Sequence, residues 1–60
     1  MEKNSEVIVI KEFSVNEKTF KIGDKLKYIT RLRNGHNFLK CENEGYLECC
    51  DETLCNFEEL

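Results

Sequence analysis

The stretch "FKIGDKLKYITRLRNG", Phe20 to Gly35, carries the alternation on which the fold is read. From Lys25 onward the even positions are Leu26, Tyr28, Thr30 and Leu32, and the odd positions are Lys25, Lys27, Ile29, Arg31 and Arg33. A period of two places successive side chains on opposite faces, so Lys25 to Leu32 reads as a strand with an apolar face and a wet, cationic face. Gly23-Asp24 interrupts the pattern as a tight turn would. Asn34-Gly35 is a hairpin signal, because both residues tolerate positive φ.

Working outward, "EVIVIKEF", Glu6 to Phe13, is rich in β-branched residues and reads as a strand that ends in the polar turn Ser14 to Lys18. Thr19 to Ile22 resumes an alternating pattern. Beyond the Asn-Gly turn, Phe38 to Glu42 is the next strand, Asn43-Glu44-Gly45 a turn, Tyr46 to Cys50 another strand and Asp51-Glu52 a turn. Thr53 to Phe57 is either a last strand or a short helical turn. Residues 1–5 read as a flexible N-terminus.

The expected fold class is therefore all-β, in one domain of residues 1–60: a small five- or six-stranded antiparallel, strongly curled sheet or barrel. A flat sheet of this size could not bury Val7, Ile8, Val9, Ile10, Phe13, Phe20, Ile22, Leu26, Tyr28, Phe38, Leu47, Leu54 and Phe57 on one face. "FKIGDKLKYI", a hydrophobic residue before Gly-Asp and then an alternating strand, resembles the opening of Src-homology-three-like small barrels of bacterial and phage proteins, and "NEGYLECC" resembles their later hairpin. The resemblance spans residues 19–50 and implies a fold, not an activity. The chain has no tryptophan and no cluster of loop aromatics, which separates it from the proline-rich-peptide binders of that class.

Length and composition narrow the function. A chain of 60 residues buries only about 60% of the surface it exposes when unfolded. Substrate pockets of roughly 300 Å³ or more are usually built between layers that so short a chain lacks. No glycine-rich phosphate loop or triad-like arrangement accompanies the lone His36, so no enzyme, cofactor or small-molecule substrate is expected. Hydrophobic residues make up 40% and charged residues 35%, and the longest aliphatic run is Val7 to Ile10. That run is too short for a signal-peptide core or a membrane span, which points to a reducing cytoplasm.

In such a compartment Cys41, Cys49, Cys50 and Cys55 read as small hydrophobes, most of them buried, rather than disulfides. Their spacing lacks a Cys-x-x-Cys knuckle, so no metal site is expected. Glu48, Asp51 and Glu52 beside Cys49 and Cys50 would raise a thiol pKa.

Charge is divided along the chain. All nine Lys and Arg lie in residues 1–40 with five acids, 9 − 5 = +4, and residues 41–60 carry seven acids and no base, −7. A basic stripe of Lys21, Lys25, Lys27, Arg31 and Arg33 and an acidic surface of Glu44, Glu48, Asp51 and Glu52 are the candidate binding residues. A non-enzymatic module that binds a protein partner fits this polarity best, with complementary patches setting orientation and a strand edge or aromatic supplying affinity. One alternative is nucleic-acid backbone binding by the stripe, against which stand the pI near 5.1 and the lack of stacking aromatics on the basic face. Another is acidic mimicry that blocks a basic groove. Exposed strand lysines also discourage sheets from pairing, which alone could explain the stripe.

Overall fold

A computed structural model describes residues 1–43 and 45–60. It contains seven strands: β1 (Glu6–Val9), β2 (Phe13–Val15), β3 (Lys18–Phe20), β4 (Lys25–Arg31), β5 (Asn37–Cys41), β6 (Tyr46–Cys49) and β7 (Phe57–Glu59), with a 3-10 helix, Asp51–Asn56, between the last two. Five of them form an antiparallel sheet in the order β6-β5-β4-β1-β7, and β2 and β3 form a separate two-stranded ribbon. The strand pairing leaves β6 and β7 as edges rather than closing a cylinder. Among the described residues no helix is long and apolar enough to cross a membrane.

The first expected strand divides in two. Val7 and Val9 are buried and Ile10 is 43% exposed, so only alternate members of the aliphatic run reach the core. The chain leaves the sheet after Val9, held by Asn56, whose carbonyl accepts from the N–H groups of Ile10 and Lys11. It then enters the β2–β3 hairpin, whose loop is only Asn16-Glu17, both at positive φ, tighter than the expected Ser14–Lys18 turn. Phe13 brings this ribbon onto the core, stacked on Phe20 (5.0 Å between ring centres) and edge-on to Phe57 (5.3 Å), and aromatic pairs of this kind each contribute about 0.5–1.5 kcal/mol beyond burial. Ahead of β1, the Asn4 N–H donates to the Tyr28 carbonyl and the Tyr28 N–H to the Ser5 carbonyl, extending the β1–β4 ladder.

Ile22 was expected inside and is 70% exposed. It sits in a turn in which the Asp24 N–H donates to the Lys21 carbonyl, with Gly23 at φ 98°. A type II turn demands that conformation of its third residue and throws the second outward. The hairpin between β4 and β5 is a three-residue loop, Arg33-Asn34-Gly35, closed by Leu32 N–H to His36 carbonyl, and only Gly35 takes positive φ there.

The core is Val7, Val9, Leu26, Tyr28, Leu39, Leu47, Cys49 and Phe57 on the inner face of the five-stranded sheet, with Phe20 added by the ribbon. Leu26 and Tyr28 lie inward as their alternation requires. On β5 it is Leu39, fully buried, and not Phe38 that faces in, opposite Tyr28 and Leu47. Phe38 lies on the other face, against Tyr46.

Candidate interaction surface

Register decides which cations share a surface. On β4, Leu26, Lys27 and Tyr28 oppose Cys41, Lys40 and Leu39, but Thr30 opposes Phe38 and Arg31 opposes Asn37. Ile29 is the extra residue of a β-bulge, and one extra residue inverts the phase of everything beyond it. Lys25 and Lys27 therefore stand on the outer face, and Arg31 pairs across from the buried Asn37. The odd positions of β4 do not form one stripe. Lys21 sits in the turn before β4 and Arg33 in the loop after it, both exposed.

Arg31 belongs to a hydrogen-bonded chain that runs into the core. Its Nη2 donates to Asp51 Oδ1 at 2.7 Å and its Nη1 to the Gly35 carbonyl at 3.0 Å. The fully buried Asn37 donates from Nδ2 to the same Asp51 oxygen (2.8 Å) and to the Cys49 carbonyl (3.4 Å), and its Oδ1 accepts from the Tyr28 hydroxyl at 2.8 Å. No buried side-chain polar atom among the described residues lacks a partner, as the cost of an unmade buried hydrogen bond requires. Asp51 opens the 3-10 helix, so the chain pins that helix to β4 and β5. The Asn37 hydrogen bond, followed by the Arg31 one, lowers the Asp51 pKa, and Asp51 raises that of Arg31.

The expected acidic surface is partly consumed in the same way. Glu48 accepts from Asn34 Nδ2 (3.1 Å) and lies 2.8 Å from His36 Nδ1, and these contacts, His36 first, lower its pKa. Glu52 is exposed on the 3-10 helix, and Glu44 lies outside the described residues. The charge division along the chain is thus folded back on itself through Arg31–Asp51, while a hydrogen bond joins His36 to Glu48.

The outer face gathers residues that lie apart in sequence. Across the strands one row reads Glu6, Lys27, Lys40, Tyr46, and the neighbouring row holds Thr30, Phe38 and Glu48. Phe38 and Tyr46 stack at 4.8 Å with planes 12° apart, and Tyr46 remains 55% exposed. Among the described residues Lys25, Lys27 and Lys40 form no salt bridge. A depression of about 260 Å³ lined by Glu6, Lys25, Lys27, Lys40 and Glu42 over Leu26 and Cys41 borders this row. A second of similar size adjoins it at Lys25 and Cys41 and extends toward Lys18 and Thr19 of the hairpin. In the sequence alone Phe38 reads as a core residue, and neither Lys40 nor Tyr46 joins the basic stripe. Their signal was available in the alternation Phe38-x-Lys40 and in the short connection to Tyr46, once β5 and β6 are paired.

All four cysteines are free thiols. Cys49 is buried, Cys41 half-buried, and Cys50 and Cys55 exposed, so the expectation that most are buried fails for the last two. Cys49 is buried and Cys50 exposed, and their thiols diverge. Burial, ahead of the charges of Cys50 and Asp51, pushes Cys49 up to about 11. Hydrogen bonds with Thr53, side chain first, lower Cys50 and outweigh burial and the charge of Glu52, against the rise expected from the neighbouring acids. Among the described residues no three His, Cys, Asp or Glu side chains converge as a metal site would require.

No protein-family model, no curated protein and no solved structure matches this chain.

Proposed function

We propose that this chain is a small non-enzymatic binding module of the Src-homology-three-like type that works in the cytoplasm by engaging a protein partner on its outer sheet face. The connectivity supports the fold type: β1, an excursion through the β2–β3 ribbon, a β4-β5-β6 meander, a 3-10 helix, and β7 returning to pair with β1. The observation that carries the functional reading is the stacked, half-open Phe38–Tyr46 pair beside Lys27 and Lys40, which form no salt bridge among the described residues. Aromatic side chains that stay in water at a sheet surface supply affinity when covered, and flanking lysines select an acidic segment. Peptides selected from a random display library test this. Binding should favour acidic sequences with an apolar anchor, and Tyr46→Ala should weaken it at least about tenfold, as loss of an aromatic anchor does. Equal binding by wild type and Tyr46→Ala would remove the outer face from the account.

A second reading has the same support. Lysines beside a stacked aromatic pair are also what a single-stranded nucleic acid uses, with bases stacking on the rings and phosphates meeting Lys25, Lys27 and Lys40. The net charge of −3 weighs against it. Oligothymidylate binding whose log K against log salt slope falls by about 1.4 in Lys27→Ala, Lys40→Ala, from about 0.7 per lost phosphate contact, would put this reading first.

A further inference from the structure

The two edges of the five-stranded sheet are protected very differently. β7 has three residues, carries Glu58 and Glu59, and has the Phe57 N–H already donated to the Leu54 carbonyl. Short, charged edges of this kind resist pairing with another chain. β6 has four residues, contains no proline or lysine, is paired without irregularity to β5, and carries one charge, Glu48, which His36 and Asn34 already engage.

The hydrogen-bond phase of β6 follows from one contact. The Cys41 N–H donates to the Gly45 carbonyl at 3.0 Å, which makes 41 and 45 a hydrogen-bonded position of the antiparallel β5–β6 ladder. Such positions alternate, so Leu39–Leu47 and Asn37–Cys49 also exchange hydrogen bonds, whereas Lys40–Tyr46 and Phe38–Glu48 do not. Tyr46 and Glu48 therefore aim their N–H and C=O groups away from β5, at the open edge.

We propose that β6 pairs antiparallel with β6 of a second copy of this chain, about a two-fold axis at Leu47. With the axis there, Tyr46 of one copy lies opposite Glu48 of the other. Both residues point their backbone groups outward, so the two pairs exchange four hydrogen bonds with no change of phase. A one-residue shift would bring inward-pointing groups to the edge and lose them. Leu47 meets Leu47 of the second copy at the closer, non-hydrogen-bonded spacing and carries the apolar inner face across the seam. On the outer face the row becomes Lys27, Lys40, Tyr46, then Glu48 of the second copy, so the lysines of one copy and the carboxylate of the other flank one aromatic ring. The pairing is made by backbone and stands apart from the reading of the outer face above.

Sedimentation equilibrium from about 10 µM to about 1 mM, a span suited to weak association, tests the pairing in wild type, Glu48→Ala and Glu48→Pro. In wild type the apparent mass should rise with concentration from 7.1 kDa toward twice that value. Glu48→Ala keeps the backbone donor and should still associate. Both variants lose the carboxylate contacts to Asn34 and His36, and relative to Glu48→Ala the Glu48→Pro variant further lacks only an outward N–H that the monomer does not use, a substitution edge strands accept, so it should stay monomeric with the circular dichroism spectrum of Glu48→Ala. Were Glu48→Pro to lose that spectrum, amide exchange in the wild type gives the same answer: the Tyr46 and Glu48 amides should slow as protein concentration rises. A constant 7.1 kDa mass with concentration-independent exchange, or association of folded Glu48→Pro equal to wild type, overturns the proposal.

Discussion

Lys27 and Arg31 lie four residues apart on one strand and meet opposite fates. Lys27 stands on the outer face opposite Lys40, without a carboxylate partner among the described residues, and Arg31 is joined to Asp51, Asn37 and through it to the core hydroxyl of Tyr28. The single residue that separates them in phase is Ile29. Before it, alternation sorts β4 into a core side and an open side; after it, a cation that stays half-exposed is tied to Asp51 and becomes a fastener for the 3-10 helix. A cationic side chain thus marks an open surface in one half of the strand and a structural joint in the other.

The largest effects should come from the inner face before the bulge. Leu39, fully buried opposite Tyr28, should cost about 2–5 kcal/mol as Leu39→Ala in urea unfolding, comparable with the whole stability of a small domain. Ile22→Ala, at a site 70% exposed, should change stability by less than about 0.5 kcal/mol. A reversal of that order would mean that the core has been placed on the wrong face.

Beyond the bulge the effect should be intermediate. Asn37→Ala strands the Tyr28 hydroxyl and the Asp51 hydrogen bond and should cost about 1–3 kcal/mol, with part of the loss recovered when Tyr28→Phe is added, because the orphaned hydroxyl goes with it. Strict additivity of the two changes would show that they do not share this bond.

The smallest effect on stability belongs to the outer face. Lys27→Ala and Lys40→Ala should each shift it by less than about 0.5 kcal/mol and act only on binding. A larger loss of stability would mean that these lysines are fasteners too, and the comparison with Arg31 would collapse.

Much of this was legible in the chain. The turns at Gly23-Asp24 and near Asn34-Gly35, and the inward set of Leu26 and Tyr28, follow from alternation and from residues that accept positive φ. The bulge was not legible, because nothing in Ile29 distinguishes a strand residue from an inserted one. That one hidden shift accounts for the misplacement of Arg31, and the facing of β5 accounts for Leu39 replacing Phe38 inside. Charge segregation along the chain was real, but sequence order does not reveal that Arg31 and Asp51, twenty residues apart, would meet.

The central claim is that the bulge carries Arg31 to Asp51 while leaving Lys27 on the outer face. Following the Asp51 carboxyl carbon by NMR during acid titration tests it directly. The folded-state pKa is held below the ordinary 3.8 by Asn37 and Arg31, so the unfolded chain takes up the proton first. The stability from this group is complete above the ordinary value and is lost as pH falls through the lowered one. Arg31→Ala should move the Asp51 midpoint up toward the ordinary value, and Lys27→Ala should leave it in place. An Asp51 that titrates at 3.8 in the wild type, or that responds to Lys27 and not to Arg31, would contradict the account.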